Sequence, residues 1–208
     1  MRTRRQLLLA AAVLAVAAGT QVAQAATVGY VVRVSTPDFG APGWIDLSFN
    51  QANATDSLPA TATVWNFIQT GYTLDTATQS TPGVTGVLGS GPLVIPNDQG
   101  GANYFTQGVQ SWGSYFQFTV FLDGPAIGTP ALAGSDFRVT LFDSSFTPFA
   151  GPLASGEVVD ITVNLDGSVS TQGSTFAGGF ATVEPVPEPA VAWLLGPALC
   201  AMLLRRRK

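Results

Sequence analysis

Residues 116–122 read Phe-Gln-Phe-Thr-Val-Phe-Leu, and this stretch decides the fold class. Successive side chains of a strand point to opposite sides, so alternate residues share one face. Gln117 and Thr119 fall on one face, and the opposite face is apolar. That apolar face carries Phe116, Phe118, Val120 and Leu122. The alternation of aromatic and β-branched residues with polar ones predicts a β-strand that buries one face in a core.

The same two-residue period recurs elsewhere in the chain. Residues 45–49, 137–141 and 159–165 alternate apolar with polar or charged side chains, and Leu165 is expected on the buried face of the last segment. Asp166-Gly167 then predicts a hairpin turn. Many short alternating strands separated by Gly- and Pro-containing turns are typical of an antiparallel β-sandwich. The sequence therefore predicts an all-β domain, and we favour a jelly-roll-like β-sandwich.

The composition excludes several kinds of catalytic site. The chain has no histidine, its one cysteine is Cys200 and its one lysine is Lys208. Ser-His-Asp and Cys-His catalysis need histidine, and the usual zinc sites need histidine or cysteine. A lysine nucleophile needs a lysine, and residues 26–190 contain no histidine, cysteine or lysine. We therefore predict a non-enzymatic protein without a cofactor or a metal. Calcium is the ion that an oxygen-only set of side chains suits best, and Asn97-Asp98-Gln99 is the densest such group.

Paired carboxylates offer the one catalytic alternative, a glycosidase. Nothing in their spacing singles out a pair. In a regular strand over 157–165, Glu157 and Asp160 would face opposite sides, so we expect solvated carboxylates on turns and outward faces. The candidates are Asp46, Asp123, Asp136, Asp143, Glu157 and Asp160.

Aromatic side chains suggest a binding role instead. Flat rings can stack on sugar rings, and Trp and Tyr also carry a polar group that suits a partly exposed site. Residues 103–115 are predicted to be loop-like and are aromatic, so contacts are expected there first; ordinary packing is the alternative. The candidate carbohydrate contacts are Trp44, Tyr104, Trp112 and Tyr115, and Trp65 is a further aromatic of the same kind.

Charge is unevenly distributed along the chain. Residues 26–190 carry two cations, Arg33 and Arg138, against thirteen acids, a net charge of −11. An acidic surface repels phosphate backbones. We therefore predict no nucleic-acid partner.

The N-terminus has the pattern of an export signal. Three of the first five residues are arginine, and residues 7–18 form an apolar segment. Ala23 and Ala25 supply small residues before a cleavage site, so cleavage before Ala26 is predicted. Residues 1–25 are therefore expected to be a helical signal peptide for Sec export, with twin-arginine export as the alternative.

The C-terminus has a second, differently ordered pattern. Residues 184–189 hold three prolines and predict an extended linker. The uncharged apolar segment 190–204 follows and predicts a hydrophobic helix, shorter than the roughly 20 residues that usually cross a bilayer. Cations at the end of such a segment are expected to stay on the cytoplasmic side as a stop-transfer signal. They are Arg205, Arg206, Arg207 and Lys208.

This tripartite end resembles the PEP-CTERM sorting signal. The resemblance implies an exosortase, an integral-membrane cysteine protease, that recognises the Pro-Glu-Pro region and removes the hydrophobic tail. It also implies transient contact with the inner membrane, in a Gram-negative bacterium that makes exopolysaccharide. Residues 137–143 and 156–168 resemble a group of uncharacterised PEP-CTERM proteins, which implies no known activity. The motif residues are Val186, Pro187, Glu188, Pro189 and Ala190.

Together these observations predict four regions and one function. The regions are a signal peptide (1–25), a β-sandwich domain (26–183), a Pro-rich linker (184–189) and a hydrophobic anchor with a basic tail (190–208). The expected function is that of an exported cell-surface or extracellular-matrix protein without catalytic activity. The first alternative is a carbohydrate-binding module for exopolysaccharide, and the second is a carboxylate-dependent glycosidase.

Overall fold

The computed structural model describes residues 27–36, 39–40, 42–98, 101–149, 157–172 and 181–186. Over these residues the chain forms β-strands and no helix, and no described segment is a helix long and apolar enough to cross a membrane. The predicted signal helix, the residues of the sorting motif from Pro187 onward and the predicted C-terminal helix lie outside the described residues. The strands are β1 (Val28–Ser35), β2 (Gly43–Gln51), β3 (Thr61–Thr70), β4 (Thr73–Ser80), β5 (Leu93–Pro96), β6 (Tyr104–Ser111), β7 (Tyr115–Asp123), β8 (Ser135–Asp143), β9 (Glu157–Val163), β10 (Val169–Gln172) and β11 (Ala181–Pro185).

The strands form two antiparallel sheets. A five-stranded sheet has the order β11-β1-β7-β3-β5, and a six-stranded sheet has the order β10-β9-β8-β2-β6-β4. The first eight strands alternate between the two sheets along the chain. The prediction of an all-β, antiparallel domain is confirmed for the described residues.

The inner faces of both sheets contribute to one hydrophobic core. The stretch that decides the fold class is β7, a central strand, and its apolar face is buried as predicted. The rings of Phe118 in β7 and Phe137 in β8 meet at 6.3 Å between the two sheets. Burying a side chain of this size stabilises the fold by roughly 1.5–3 kcal/mol. The packing of apolar side chains between the sheets therefore holds them together.

The predicted hairpin joins β9 to β10. Val163 pairs with Val169, and the N–H of Asn164 donates to the carbonyl of Ser168 at 2.8 Å. Gly167 has a φ of 79°, which glycine adopts without the steric penalty that other residues meet. The strand itself ends at Val163, two residues earlier than predicted. Leu165 consequently lies in the turn and is exposed, so its predicted place on the buried face is wrong.

The sheet extends beyond the predicted end of the domain. β11 runs to Pro185 and pairs with β1, and the N–H of Val186 donates to the carbonyl of Gly29 at 2.8 Å. β11 is an edge strand, where proline is tolerated because its missing N–H can face away from the sheet. The first residues of the predicted linker 184–189 are therefore part of the five-stranded sheet.

Most of the segment predicted to be loop-like, 103–115, is instead β6, and its last residue begins β7; residue 103 and residues 112–114 lie outside the strands. β6 lies between β2 and β4, and two of its polar residues are buried. Their side chains have partners: Gln107 donates to the carbonyl of Asp75 at 2.7 Å, and Thr106 donates to Asp46 at 2.8 Å. Burial of polar groups on both faces hides the alternation by which a strand is usually found.

Candidate functional site

The outer face of the six-stranded sheet carries a groove of about 360 Å³. Its floor is built from β2, which presents Asp46, Ser48 and Asn50 to the groove. These residues are two apart, so they fall on the same face of the strand. Their neighbours on β6 are set by the register, in which Ser48 pairs with Tyr104 and Asp46 pairs with Thr106.

An aromatic wall closes one end of the groove. Phe142 and Phe146 line it, and Phe142 lies beside Trp44 in the register of β8 and β2. The ring of Phe146 stacks on that of Trp44, with centroids 4.7 Å apart and planes 18° from parallel. Phe146 is still 45% exposed, so its ring has a surface that a ligand can reach.

The backbone of Phe146 is held in an unfavourable conformation. Its φ is 59°, a left-handed region that costs a residue with a Cβ about 1–2 kcal/mol. The carboxylate of Asp143 holds the turn, because its Oδ1 accepts from the N–H of Ser145 at 2.8 Å and from that of Thr147 at 2.9 Å. Backbone strain of this kind is concentrated at functional sites, and here it places an aromatic ring on the rim of the groove.

Asp46 is the carboxylate of the groove lining. Burial raises its pKa to about 6, and the hydrogen bond that Thr106 donates to Oδ2 acts in the opposite direction. The group therefore changes charge in mildly acidic solution. Below that pH it can both donate and accept a hydrogen bond, and above it it only accepts.

Next to the groove, on the same face, Arg138 collects three carboxylates. Its guanidinium lies 2.9 Å from Oε1 of Glu157, 3.3 Å from Oδ2 of Asp136 and 3.5 Å from Oδ2 of Asp160. Burial is the main cause of a raised pKa at Asp160; the nearby Asp136 raises it further, and Arg138 lowers it. These three carboxylates therefore neutralise the positive charge of Arg138.

The prediction that Glu157 and Asp160 face opposite sides is wrong. The pairing of β8 with β9 shifts by one residue, since Val139 pairs with Val159 whereas the next residue, Thr140, pairs with Glu157. This β-bulge inserts Val158, and Val158 and Val159 are both buried. An extra residue reverses the alternation, so both carboxylates reach Arg138 on the outer face.

The predicted carbohydrate contacts separate into two groups. Tyr104 lines the groove, and Trp44 supports it through its stack with Phe146. Trp112 instead packs in a cluster of aromatic rings, with centroids 5.3 Å from Phe39 and 5.7 Å from Tyr72. Its Nε1 is buried without a hydrogen-bond partner among the described residues, so Trp112 is a packing residue.

Tyr115, the fourth predicted contact, lies on the other sheet. It belongs to β7, where it pairs with Ser35 and Thr70. The guanidinium carbon of Arg33 lies 3.9 Å from the centroid of its ring. This cation covers one side of the ring, and Tyr115 is not part of the groove.

The densest group of side-chain oxygens has a structural role at its first residue. Asn97 is fully buried; its Oδ1 accepts from the N–H of Ala60 at 2.6 Å, and its Nδ2 donates to Oγ of Ser135 at 2.8 Å. Within the part of the chain that the structure describes, no group of three or more His, Cys, Asp or Glu residues could hold a metal ion.

Sequence reasoning missed Phe142 and Phe146. Phe146 lies within Asp143-Ser-Ser-Phe-Thr147, where the aspartate is a turn signal and an aromatic residue is out of place. That mismatch between a turn and a large ring is the signal that could have identified it.

No protein-family model, no curated protein and no solved structure matches the chain.

Proposed function

We propose that this chain is an exported, non-enzymatic surface or matrix protein, and that its β-domain binds polysaccharide in the groove of the six-stranded sheet. The observation that carries the binding proposal is Phe146, a strained and exposed aromatic ring at the end of a polar groove. A sugar ring has apolar faces and hydroxyl edges. The face stacks on the aromatic wall, and the hydroxyls bond to Asp46, Ser48, Asn50 and Tyr104.

Catalysis is not part of the proposal. Glycoside hydrolysis uses two carboxyl groups on either side of the scissile bond. Asp46 is the single carboxylate among the described residues that line the groove. The carboxylates around Arg138 are held in ion pairs with it.

We also propose that the domain is a jelly-roll-like β-sandwich. The common core of the two sheets supports face-to-face packing. The first eight strands alternate between the two sheets. In a sandwich or jelly roll, connections cross repeatedly from one sheet to the other and give this kind of alternation.

Affinity measurements on the mature protein test the binding proposal. The ligand is exopolysaccharide purified from the producing cells. Phe146→Ala should weaken binding about tenfold, since loss of a stacking surface is worth about 1.4 kcal/mol. Leu132→Ala is the matched control, because Leu132 is an exposed apolar residue outside the groove. Absence of binding by the unmodified protein, or equal binding by the Phe146 variant, would refute the proposal.

The export part of the proposal rests on the two terminal sequence patterns. The signal peptide delivers the chain through Sec, the tail holds it briefly in the inner membrane, and an exosortase-like protease removes the tail at the cell surface. Replacing Pro187, Glu188 and Pro189 with alanine should leave a retained, full-length chain, detected by its mass in a membrane fraction. Glu184→Ala, just outside the motif, should be processed normally. Normal processing of the triple variant would contradict this route.

A further inference from the structure

The five-stranded sheet carries a separate pocket of about 240 Å³. It is lined by β3 and by the loop that precedes β5, whereas the groove lies on the six-stranded sheet. The residues that line it are Trp65, Asn66, Phe67, Gly89 and Gly91.

A β-bulge shapes this pocket. Against β7, Trp65 pairs with Thr119 and Ile68 pairs with Gln117, so two residues of β3 oppose one residue of β7. Asn66, the inserted residue, has a φ of 58°, a left-handed conformation that asparagine adopts more readily than most residues. The shift in register therefore defines a β-bulge at this position of the sheet.

The bulge brings two apolar side chains to one surface. Residues three apart in a regular strand face opposite sides, but the inserted residue puts Trp65 and Ile68 on the same outer face. They are 46% and 48% exposed. Phe67 turns inward and stacks on Phe116, with ring centroids 5.8 Å apart, and so fixes the strand beneath them.

The loop beside Trp65 leaves room for a ligand. Gly89 has a φ of 89°, and a Cβ there would lie 3.8 Å from the ring of Phe67. Gly91 likewise adds no side chain. An indole face, an asparagine amide and open backbone therefore meet in one pocket whose lining includes no ionisable side chain.

We propose that this pocket is a second carbohydrate-stacking site, which binds a neutral sugar unit and makes the domain a cross-linker of polysaccharide chains. The uncharged lining matches a neutral ligand, the indole matches the apolar face of a sugar ring, and the Asn66 amide matches a hydroxyl. The inference rests on the proposed function, because it assigns the same class of ligand to both sites.

The two sites lie on opposite outer faces of the domain, so one molecule can link two polysaccharide chains. Trp65 follows the buried Val64 and points away from the core, and Phe146 lies on the outer face of the opposite sheet. Chains bound in the two sites therefore run on opposite sides of the domain. Two sites on one molecule bring separate chains together and raise the overall avidity.

Two measurements on the mature protein test this. The first is affinity for short neutral oligosaccharides released from the exopolysaccharide of the producing cells, and the second is the rise in light scattering when protein is mixed with the intact polymer. Trp65→Ala and Phe146→Ala should each weaken one of the two oligosaccharide sites about tenfold and strongly reduce the rise in scattering. The double variant should weaken both sites, and Leu132→Ala should behave as the unmodified protein.

The outcomes separate the two proposals. If Trp65→Ala binds and cross-links the polymer like the unmodified protein while Phe146→Ala binds about tenfold more weakly, the second site is refuted and the groove stands. If the unmodified protein does not bind, both proposals fail. Self-association without polysaccharide that Trp65→Ala abolishes would assign the surface to a second copy of the chain and overturn the inference. Asn66→Gly, which keeps the bulge and removes the amide, should weaken this site at least threefold.

Discussion

The outer faces of the two sheets differ in chemistry although both rest on the same core. Beside its aromatic wall, the six-stranded sheet presents a polar surface, where Arg138 bridges three carboxylates and Thr106 donates to Asp46. The five-stranded sheet exposes Trp65 and Ile68, and its charge at this face includes Arg33 above a tyrosine ring. Folding requires apolar inner faces only, so each outer face is free to serve a different contact.

A β-bulge produces the character of each face. In β9 the inserted Val158 brings Glu157 and Asp160 together around a cation. In β3 the inserted Asn66 brings Trp65 and Ile68 together. The same one-residue irregularity gathers carboxylates on one sheet and apolar side chains on the other.

The largest expected effect comes from the core that supports both faces. Phe137→Ala removes a ring that contacts Phe118 on the opposite sheet and Phe49 on its own. The free energy of unfolding should fall by about 3–5 kcal/mol, because lost burial and a cavity act together. Urea denaturation measures this, with Phe146→Ala as a control that truncates an exposed ring. Equal losses in the two variants would mean that the sheets do not share this core.

The second prediction concerns Asp46 in the groove, whose ionisation makes the stability of the protein depend on pH. Burial raises the pKa of Asp46 from 3.8 to about 6 in the folded protein. Its contribution to stability is therefore fully present below about pH 4 and is lost as the pH rises through 6, which costs about 2–3 kcal/mol at pH 7. Asp46→Asn keeps an acceptor for Thr106 and should be more stable than the unmodified protein at pH 7 by a similar amount.

The control for this prediction is Asp123→Asn, at an exposed carboxylate. Urea denaturation from pH 4 to pH 7 should give a flatter stability profile for Asp46→Asn than for either the control or the unmodified protein. Parallel profiles for all three proteins would show that Asp46 ionises in the folded state as it does in the unfolded chain.

The third effect concerns the cation of the six-stranded sheet. Arg138→Met leaves three neighbouring carboxylates without it and should lower stability at pH 7 by about 1–2 kcal/mol, a value reduced by the 38% exposure of the arginine. Arg138 lowers the pKa of Asp160, so its removal should raise that pKa further, and the loss of stability should grow as the pH increases from 4 to 7. Arg33→Met, on the five-stranded sheet, should cost only about 0.5 kcal/mol. A pH-independent loss at Arg138 would indicate lost packing instead.

The sequence predicts a strand and its buried face correctly where apolar and polar residues alternate along the strand. They alternate in β7, where Phe116 and Phe118 identified the core face correctly. The alternation fails in β6, because the buried Thr106 and Gln107 find polar partners on neighbouring strands that no local pattern reveals. The bulges at Asn66 and Val158 were also hidden, since a single inserted residue is visible only in the register with the partner strand.

The groove was predicted only in part, for a related reason. Tyr104 and Trp44 were expected contacts and lie at the site, and Asp46 was one of several carboxylate candidates. Trp112 was an equally good candidate by composition, but tertiary packing places it among other rings. Residue type indicates what an aromatic ring can do, and the pairing of distant strands decides where it lies.

The smallest expected effect on stability is at Phe146. It distinguishes the strain in the backbone of Phe146 from the contact that its ring makes with Trp44. Truncation to alanine removes the stack on Trp44 and leaves a Cβ at a φ of 59°. Truncation to glycine removes the stack and also the backbone strain. Phe146→Gly should therefore be more stable than Phe146→Ala by about 0.5–1 kcal/mol, the reverse of the order at most positions, where glycine is the less stable choice. Both variants should lose polysaccharide affinity to the same extent, because neither retains the ring. If alanine proved the more stable residue, the turn at Asp143 would hold no strain, and the exposed ring would lose its main claim to a functional role.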